Sequence, residues 1–304
     1  MRKVYRQQII EGVTIPSIIH NMRYHWNNMA VYQDGTVNCW KRVNLDMVAE
    51  VIQSGWLVHQ VPIGQNLSVY ELGNFPIEKA EWQFNDKSYF AYIEQTVRSM
   101  NPDMENVYKT TQKELESIKK YRTFGNAEST PFKQGTVAQG GRLDGKTANI
   151  FYQGDEFILT SITAFRDRTL QIDAVGEEYF QPEEIEDMFA KGVLCTRPQP
   201  GQWVSLGSLG QVLTGEPVYY TDSDEKLEII RNMVVSAAGE KDAEDKCQDA
   251  YFEYLREPSE WNREVLRKTY EAVPESRRMY LGDMDTRDWD FIRILYHPDQ
   301  KREV

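Results

Sequence analysis

The sequence predicts an α+β protein: two divergent tandem copies of a small strand-hairpin, helix, antiparallel-sheet, helix unit, followed by a mainly helical C-terminal region. Three observations predict it. The segment Gly55-Trp56-Leu57 through Gly64-Gln65-Asn66-Leu67-Ser68 to Leu72-Gly73 recurs without a gap as Gly192-Val193-Leu194 through Gly201-Gln202-Trp203-Val204-Ser205 to Leu209-Gly210, with seven identities in 19 residues. Glycines held at one spacing mark backbone positions that a repeated unit must reproduce. The apolar periodicities flanking the segment repeat in the same order, and 304 residues exceed the usual extent of one core. The expected divisions are residues 1–103 for the first unit, 104–150 for a helix and glycine-rich connector, 151–239 for the second unit and 240–304 for the helical region.

The first unit opens with an apolar stretch over residues 9–19, then alternating residues 22–26 and 29–32 that read as strands. Asp34-Gly35 before Val37-Asn38-Cys39-Trp40 is a two-residue hairpin signal, because Gly accepts the positive φ of tight turns. Asn44 or Asp46 then caps a helix with Leu45, Val48, Val51 and Ile52 on one face, ended by Gly55. Strands are expected at 57–61, 67–72 and 80–84. Asn85 or Asp86 starts a longer helix carrying Tyr89, Ile93, Thr96, Val97 and Met100.

A helix over 104–121 and a polar, glycine-rich stretch over 123–147 follow. The second unit repeats the landmarks. Residues 170–175 stand for the first hairpin, and Pro182 begins a helix with Ile185, Met188 and Phe189, suited to a first turn where its missing N–H has no partner. Strands follow at 193–197, 203–209 and 217–220, then a helix capped by Asp222 or Ser223 with Leu227, Ile230 and Val234. Residues 243–255 and 260–273 read as helices bounded by Pro258 and Pro274.

Composition narrows the function classes. No run approaches the roughly 18 apolar residues of a spanning helix, and the charged start has no apolar core behind it, so a soluble cytoplasmic protein is expected. Three dispersed cysteines, Cys39, Cys195 and Cys247, form no disulfide framework. With 47 acidic against 35 basic residues, a formal charge of −12, direct nucleic-acid binding is disfavoured and a protein partner with a basic surface is favoured. Seven Trp and seventeen Tyr suit buried aromatics or a binding face.

Candidate sites each compete with a structural role. The acidic cluster containing Asp283, Asp285 and Asp288 supplies hard oxygen ligands for a divalent cation, though without EF-hand spacing, and its acids equally suit a helix start. His20, His25 and His59 share the first unit with Cys39, a combination that a Cys nucleophile with a His base would need; the second unit has no such pair, since His59 aligns with Thr196. Gly140-Gly141-Arg142-Leu143-Asp144-Gly145-Lys146-Thr147 has the letters of a phosphate loop, but no strand precedes it and an extended segment follows. The repeated Gln65, Ser68, Gln202 and Ser205, with Trp203 replacing Asn66, offer partner or ligand contacts at equivalent places, or simply build the turn and strand edge.

No cofactor is expected. The reading is a noncatalytic protein-binding or regulatory protein, such as an immunity-type inhibitor or a component of a defence or counter-defence complex. The alternative is a small-ligand sensor or metal-dependent enzyme with a site between the two copies.

Overall fold

The structure, a computed structural model, describes residues 10–113, 116, 145–282 and 287–300. The first copy runs β1 (Gly12–Asn21), β2 (Arg23–Tyr32), β3 (Thr36–Asn38), β4 (Arg42–Asn44), α1 (Leu45–Gln53), β5 (Leu57–Val58), β6 (Asn66–Val69), β7 (Gly73–Trp82) and α2 (Asp86–Met100). The second runs β8 (Lys146–Gln153), β9 (Phe157–Ala164), β10 (Leu170–Ile172), β11 (Tyr179–Phe180), α3 (Pro182–Ala190), β12 (Leu194–Cys195), β13 (Trp203–Ser205), β14 (Gly210–Thr214), β15 (Tyr219–Tyr220) and α4 (Ser223–Ala237). Both helices of the second copy begin and end 137 residues after their counterparts, from Leu45 to Pro182 and from Asp86 to Ser223.

Strand pairing repeats as well. In the first copy β1 pairs with β2 and β5, β2 runs parallel to β6 and antiparallel to β3, and β6 pairs with β7. In the second, β8 pairs with β9 and β12, β9 runs parallel to β13 and antiparallel to β10, and β13 pairs with β14. The fold is therefore an α+β duplication, as the sequence predicts.

Contacts divide the chain into two compact units, the first of Met1–Leu143, Phe151–Leu159 and Arg197–Tyr220, the second of Asp144–Ile150, Thr160–Thr196 and Thr221–Val304. The division runs through β8 and β9, so the units do not follow the ends of the sequence copies. Within the first unit β7 pairs with β14 from Trp82↔Gly210 to Lys79↔Leu213, and with β15 at Asn74↔Tyr219 and Gly73↔Tyr220. Since β7 and β14 are counterparts, two equivalent strands lie antiparallel along each other, the start of β14 against the end of β7 and the start of β7 against β15. The first unit buries Ile18, Trp26, Leu67 and Phe75, with Phe75 edge-on to Phe151 and Phe151 stacked on Phe157. Its helices bury Val48, Val51, Ile93 and Val97.

The second unit carries α3, α4 and the C-terminal helices α5 (Ala243–Arg256), α6 (Glu260–Glu271), α7 (Glu275–Arg278) and α8 (Trp289–Tyr296). Side-chain oxygens start three of these helices: Asp222 accepts from the Glu225 N–H, Asp242 from Asp245 and Ser259 from Asn262. The C-terminal helices enclose their own core of Cys247, Leu266, Tyr270, Phe291, Ile294 and Leu295. Among the described residues no helix is long and apolar enough to cross a membrane.

Four local expectations are corrected. β7 starts at Gly73, well before residue 80, because Pro76 sits opposite Asn66 at the end of β6 while its carbonyl accepts the Gly215 N–H at 2.9 Å. The strand expected over 203–209 ends at Ser205, and Gly207, at φ 60, turns the chain into a short 3-10 segment. The hairpin at Asp34-Gly35 has a longer loop than two residues, closed by the Asp34 carboxylate on the Thr36 N–H (3.0 Å) and hydroxyl (2.6 Å). Residues 104–111 are irregular where a helix was expected: Met104 and Asn106 have positive φ, and the Asn101 amide clamps the carbonyls of Gln33 (2.9 Å) and Glu105 (2.8 Å). Gln112, Lys113 and Glu116 are helical as expected, while the rest of that expected helix and most of the glycine-rich stretch lie outside the described residues.

Candidate functional site

One end of the first unit gathers aromatic and imidazole side chains. The β1–β2 hairpin turns at Met22, 97% exposed and left-handed at φ 60. Three residues on, β2 sets His25 across from Ile19 and beside Ser68 of β6. β6 pairs Ser68 with Asn74 of β7, and β7 pairs Asn74 with Tyr219 of β15. Cross-strand neighbours share a face, so His25, Ser68, Asn74 and Tyr219 form one polar row. Asn74 is buried and its Oδ1 meets no protein donor.

Trp40 stands beside this row in the link between β3 and β4. Its backbone is left-handed at φ 63, and 51% of its surface is exposed. That conformation costs an L-residue about 1–2 kcal/mol, and it persists only where surrounding contacts fix it. Those contacts are visible. The His25 ring lies 5.1 Å from the Trp40 indole and the Trp56 indole 6.5 Å away, edge-on. Trp56 is itself held by its Nε1–H donating to the Cys39 carbonyl (3.2 Å), by the His20 N–H donating to its own carbonyl (2.8 Å), and by the Lys41 ammonium 3.6 Å from its ring centre. His20 stacks on Tyr24 at 4.4 Å. The second copy lacks this cluster: its corresponding loop turns at Gly176 (φ 87), and Val193 replaces Trp56.

The titratable groups here are poorly arranged for nucleophilic chemistry. Burial pushes the Cys39 thiol up to about 11, and its Sγ contacts the Lys41 carbonyl at 3.5 Å. A neutral thiol is a weak nucleophile. None of the three expected bases is seen to serve it, since the His20 ring stacks on Tyr24, the His25 ring faces Trp40 and the His59 Nε2 pairs with Asp86 at 3.2 Å. Burial, reinforced by Arg23 and His20, lowers the His25 pKa against the raising effect of the Asn21 backbone. Tyr89, fully buried with no partner for its hydroxyl among the described residues, is pushed far up by desolvation.

The repeated glutamines make the same turn twice. Gln65 donates its N–H to the Pro62 carbonyl and Gln202 to that of Gln199, both at 3.0 Å. The Gln202 side chain then accepts from the Gln199 N–H (2.9 Å) and donates to Gln153 (2.7 Å), while Gln65 is exposed. Ser68 joins the polar row, whereas Ser205 has Ile158 as its parallel neighbour and Trp203 faces Leu213.

Asp288 accepts the Tyr270 hydroxyl at 2.8 Å just before α8; Asp283 and Asp285 lie outside the described residues. Among the described residues no three His, Cys, Asp or Glu side chains group as metal ligands. Lys146 and Thr147 begin strand β8, where Lys146 bonds Ser236 and Thr147 bonds Thr163, so they do not open a helix as a phosphate loop requires. Trp40, Lys41 and Trp56 were missed by sequence reasoning. The available signal was Trp56 against Val193 inside an otherwise aligned repeat.

A family model described as a domain of unknown function, DUF7638, matches residues 1–104 and 133–241, and a second domain of unknown function, DUF7639, matches residues 242–303. No curated protein and no solved structure matches the chain.

Proposed function

We propose that the chain, which belongs to the DUF7638 family, is a noncatalytic protein-binding regulatory protein whose first copy seats a partner on Trp40. The observation that carries this reading is Trp40 itself, a large aromatic side chain held half exposed in a left-handed backbone where glycine would be the cheaper residue. Tryptophan flanked by a cation and a second indole is the chemistry of an interface hot spot. The restriction of the cluster to one copy supports a specific surface over a shared structural device. The formal charge of −12 supports a partner whose wider surface is basic, as an immunity-type inhibitor or a defence or counter-defence component would meet.

The test is native mass spectrometry of the protein gently purified from its own host, as the unaltered chain and as Trp40→Gly. Glycine removes the side chain and relieves the left-handed strain, so the fold is retained. A stoichiometric protein adduct on the unaltered chain that is lost from Trp40→Gly is the expected result. An adduct retained equally by both, or a small-molecule adduct alone, overturns the reading.

A further inference from the structure

The duplication provides a comparison within one molecule, in how each copy covers the open end of its helix pair. In the first copy residues 101–110 turn back after α2. The Tyr108 N–H donates to the Asp34 carbonyl at 2.8 Å, and the Asn44 amide donates to the Tyr108 carbonyl (3.3 Å) and the Thr110 hydroxyl (2.7 Å). Val107 closes the corner: a Cβ on Gly35 would stand 2.9 Å from its Cγ1 and 3.3 Å from Leu45.

The second copy repeats the receiving side. Asp167 Oδ1 accepts the Thr169 N–H (3.1 Å) and hydroxyl (2.7 Å), as Asp34 Oδ1 accepts those of Thr36. Arg168 is left-handed at φ 71 where Gly35 is at φ 79, and Gln181 and Pro182 open α3 where Asn44 and Leu45 open α1. Among the described residues the occupant is not repeated. After α4 the chain turns at Gly239 (φ 80) into α5, whose Cys247 and Ala250 are buried in the C-terminal core. Between α3 and α4 lies a cavity of about 250 Å³ lined by Pro182, Ile185, Leu227, Ile230 and Val234, with Arg168 at its rim. That is the liquid-volume share of about eight waters, so a side chain with its backbone fits.

We infer that this groove between α3 and α4 is a docking site for an extended peptide segment of a partner protein, entering with an apolar side chain and donating a backbone N–H to the Asp167 carbonyl. In the first copy the corresponding corner, formed by Asp34, Gly35, Asn44 and Leu45, holds a segment supplied by the chain itself. The rim charges are already matched, Arg168 by Glu240 and Arg231 by Glu186 and Glu228, which leaves an apolar floor and a backbone acceptor as the recognition chemistry. Gln181 stands where Asn44 bonds the peptide carbonyl in the first copy. This site is independent of the Trp40 surface.

The chain's own segment provides the probe. A synthetic peptide of residues 103–111 is titrated into the full-length protein, and the methyl resonances of Ile185, Ile230 and Val234 are followed. Saturable shifts at those methyls are expected, weakened at least tenfold in Leu227→Trp or Val235→Trp, two half-buried lining positions whose folding is checked by thermal melts. Val107→Asp in the peptide is expected to abolish the shifts, and Trp40→Gly in the protein to leave them unchanged. The inference is overturned by an absence of methyl shifts at millimolar peptide, by equal shifts from the Val107→Asp peptide, or by a groove whose methyls, before peptide is added, contact another part of the same chain or a second copy.

Discussion

Replacing Gly210 by alanine tests the close pairing of β7 with β14 and β15. Three glycine pairs recur in the repeat, and they do different jobs. Gly55, Gly64, Gly192 and Gly201 have φ between 71 and 83, with nothing within 4 Å of an added Cβ. A Cβ on Gly210 would instead lie 2.1 Å from the Glu81 carbonyl oxygen, and one on Gly73 2.4 Å from that of Tyr219. Cβ atoms essentially never approach closer than 3.0 Å, so the strands must part. Alanine at Gly201 carries only the left-handed cost, about 1 kcal/mol. Alanine at Gly210 adds the loss of two or three ladder hydrogen bonds near Trp82, each about 1 kcal/mol, for a total of about 4 kcal/mol. Urea unfolding followed by tryptophan fluorescence measures both, with the slope checked for constancy. A Gly210→Ala loss within about 0.5 kcal/mol of the Gly201→Ala loss, inside the usual range for surface substitutions, would refute the strand contact.

Tyr89→Phe removes a buried hydroxyl that has no partner, so it is expected to leave stability unchanged or raise it by about 1 kcal/mol; a loss of that size would mean the hydroxyl is bonded. His25 is held below its ordinary value of 6.5, so just below that pH the unfolded chain binds more protons than the folded one. Its contribution is complete above 6.5 and lost as pH falls toward the folded value; the urea midpoint should drop less between neutral and mildly acidic pH in His25→Gln, and identical drops would contradict the lowered pKa. Among the thiols, half-buried Cys195 should alkylate first, while Cys39 and Cys247, both pushed up to about 11 by burial, should react only on unfolding. Peptide mapping of a timed iodoacetamide reaction reads the order, and early labelling of Cys39 would contradict its burial.

The helices were legible because their signals are local. Asn85 caps α2 by accepting from the N–H groups of Lys87 and Ser88, Pro182 occupies the first turn of α3, and Asp222 caps α4. The start of β7 was hidden because a proline inside a run argues against a strand, whereas Pro76 falls in the gap between the β14 and β15 pairings, where only its carbonyl is used, by the Gly215 N–H. Residues 104–111 hold only three strong helix formers, Met104, Glu105 and Lys109, and the Asn101 clamp on Gln33, 68 positions away, fixes the irregular path. The Trp40 cluster was illegible for the same reason: the β1–β5 pairing brings Trp56 to Trp40, and no short window contains both. The acids near the C-terminus were weighed as ligands or as a helix start, and Asp288 stands just before α8 and accepts from Tyr270.

Two equivalent strands lying antiparallel along each other is the contact that a two-fold pair of identical subunits would make. In such a pair every substitution appears twice, so a residue that improves one surface is imposed on the other. Joining both copies in one polypeptide removes that constraint, and it frees the pairing from dependence on protein concentration. One side can then keep two indoles at a position where the other keeps Gly176 and Val193. Asymmetry of this kind is open to a duplicated chain and closed to a homodimer.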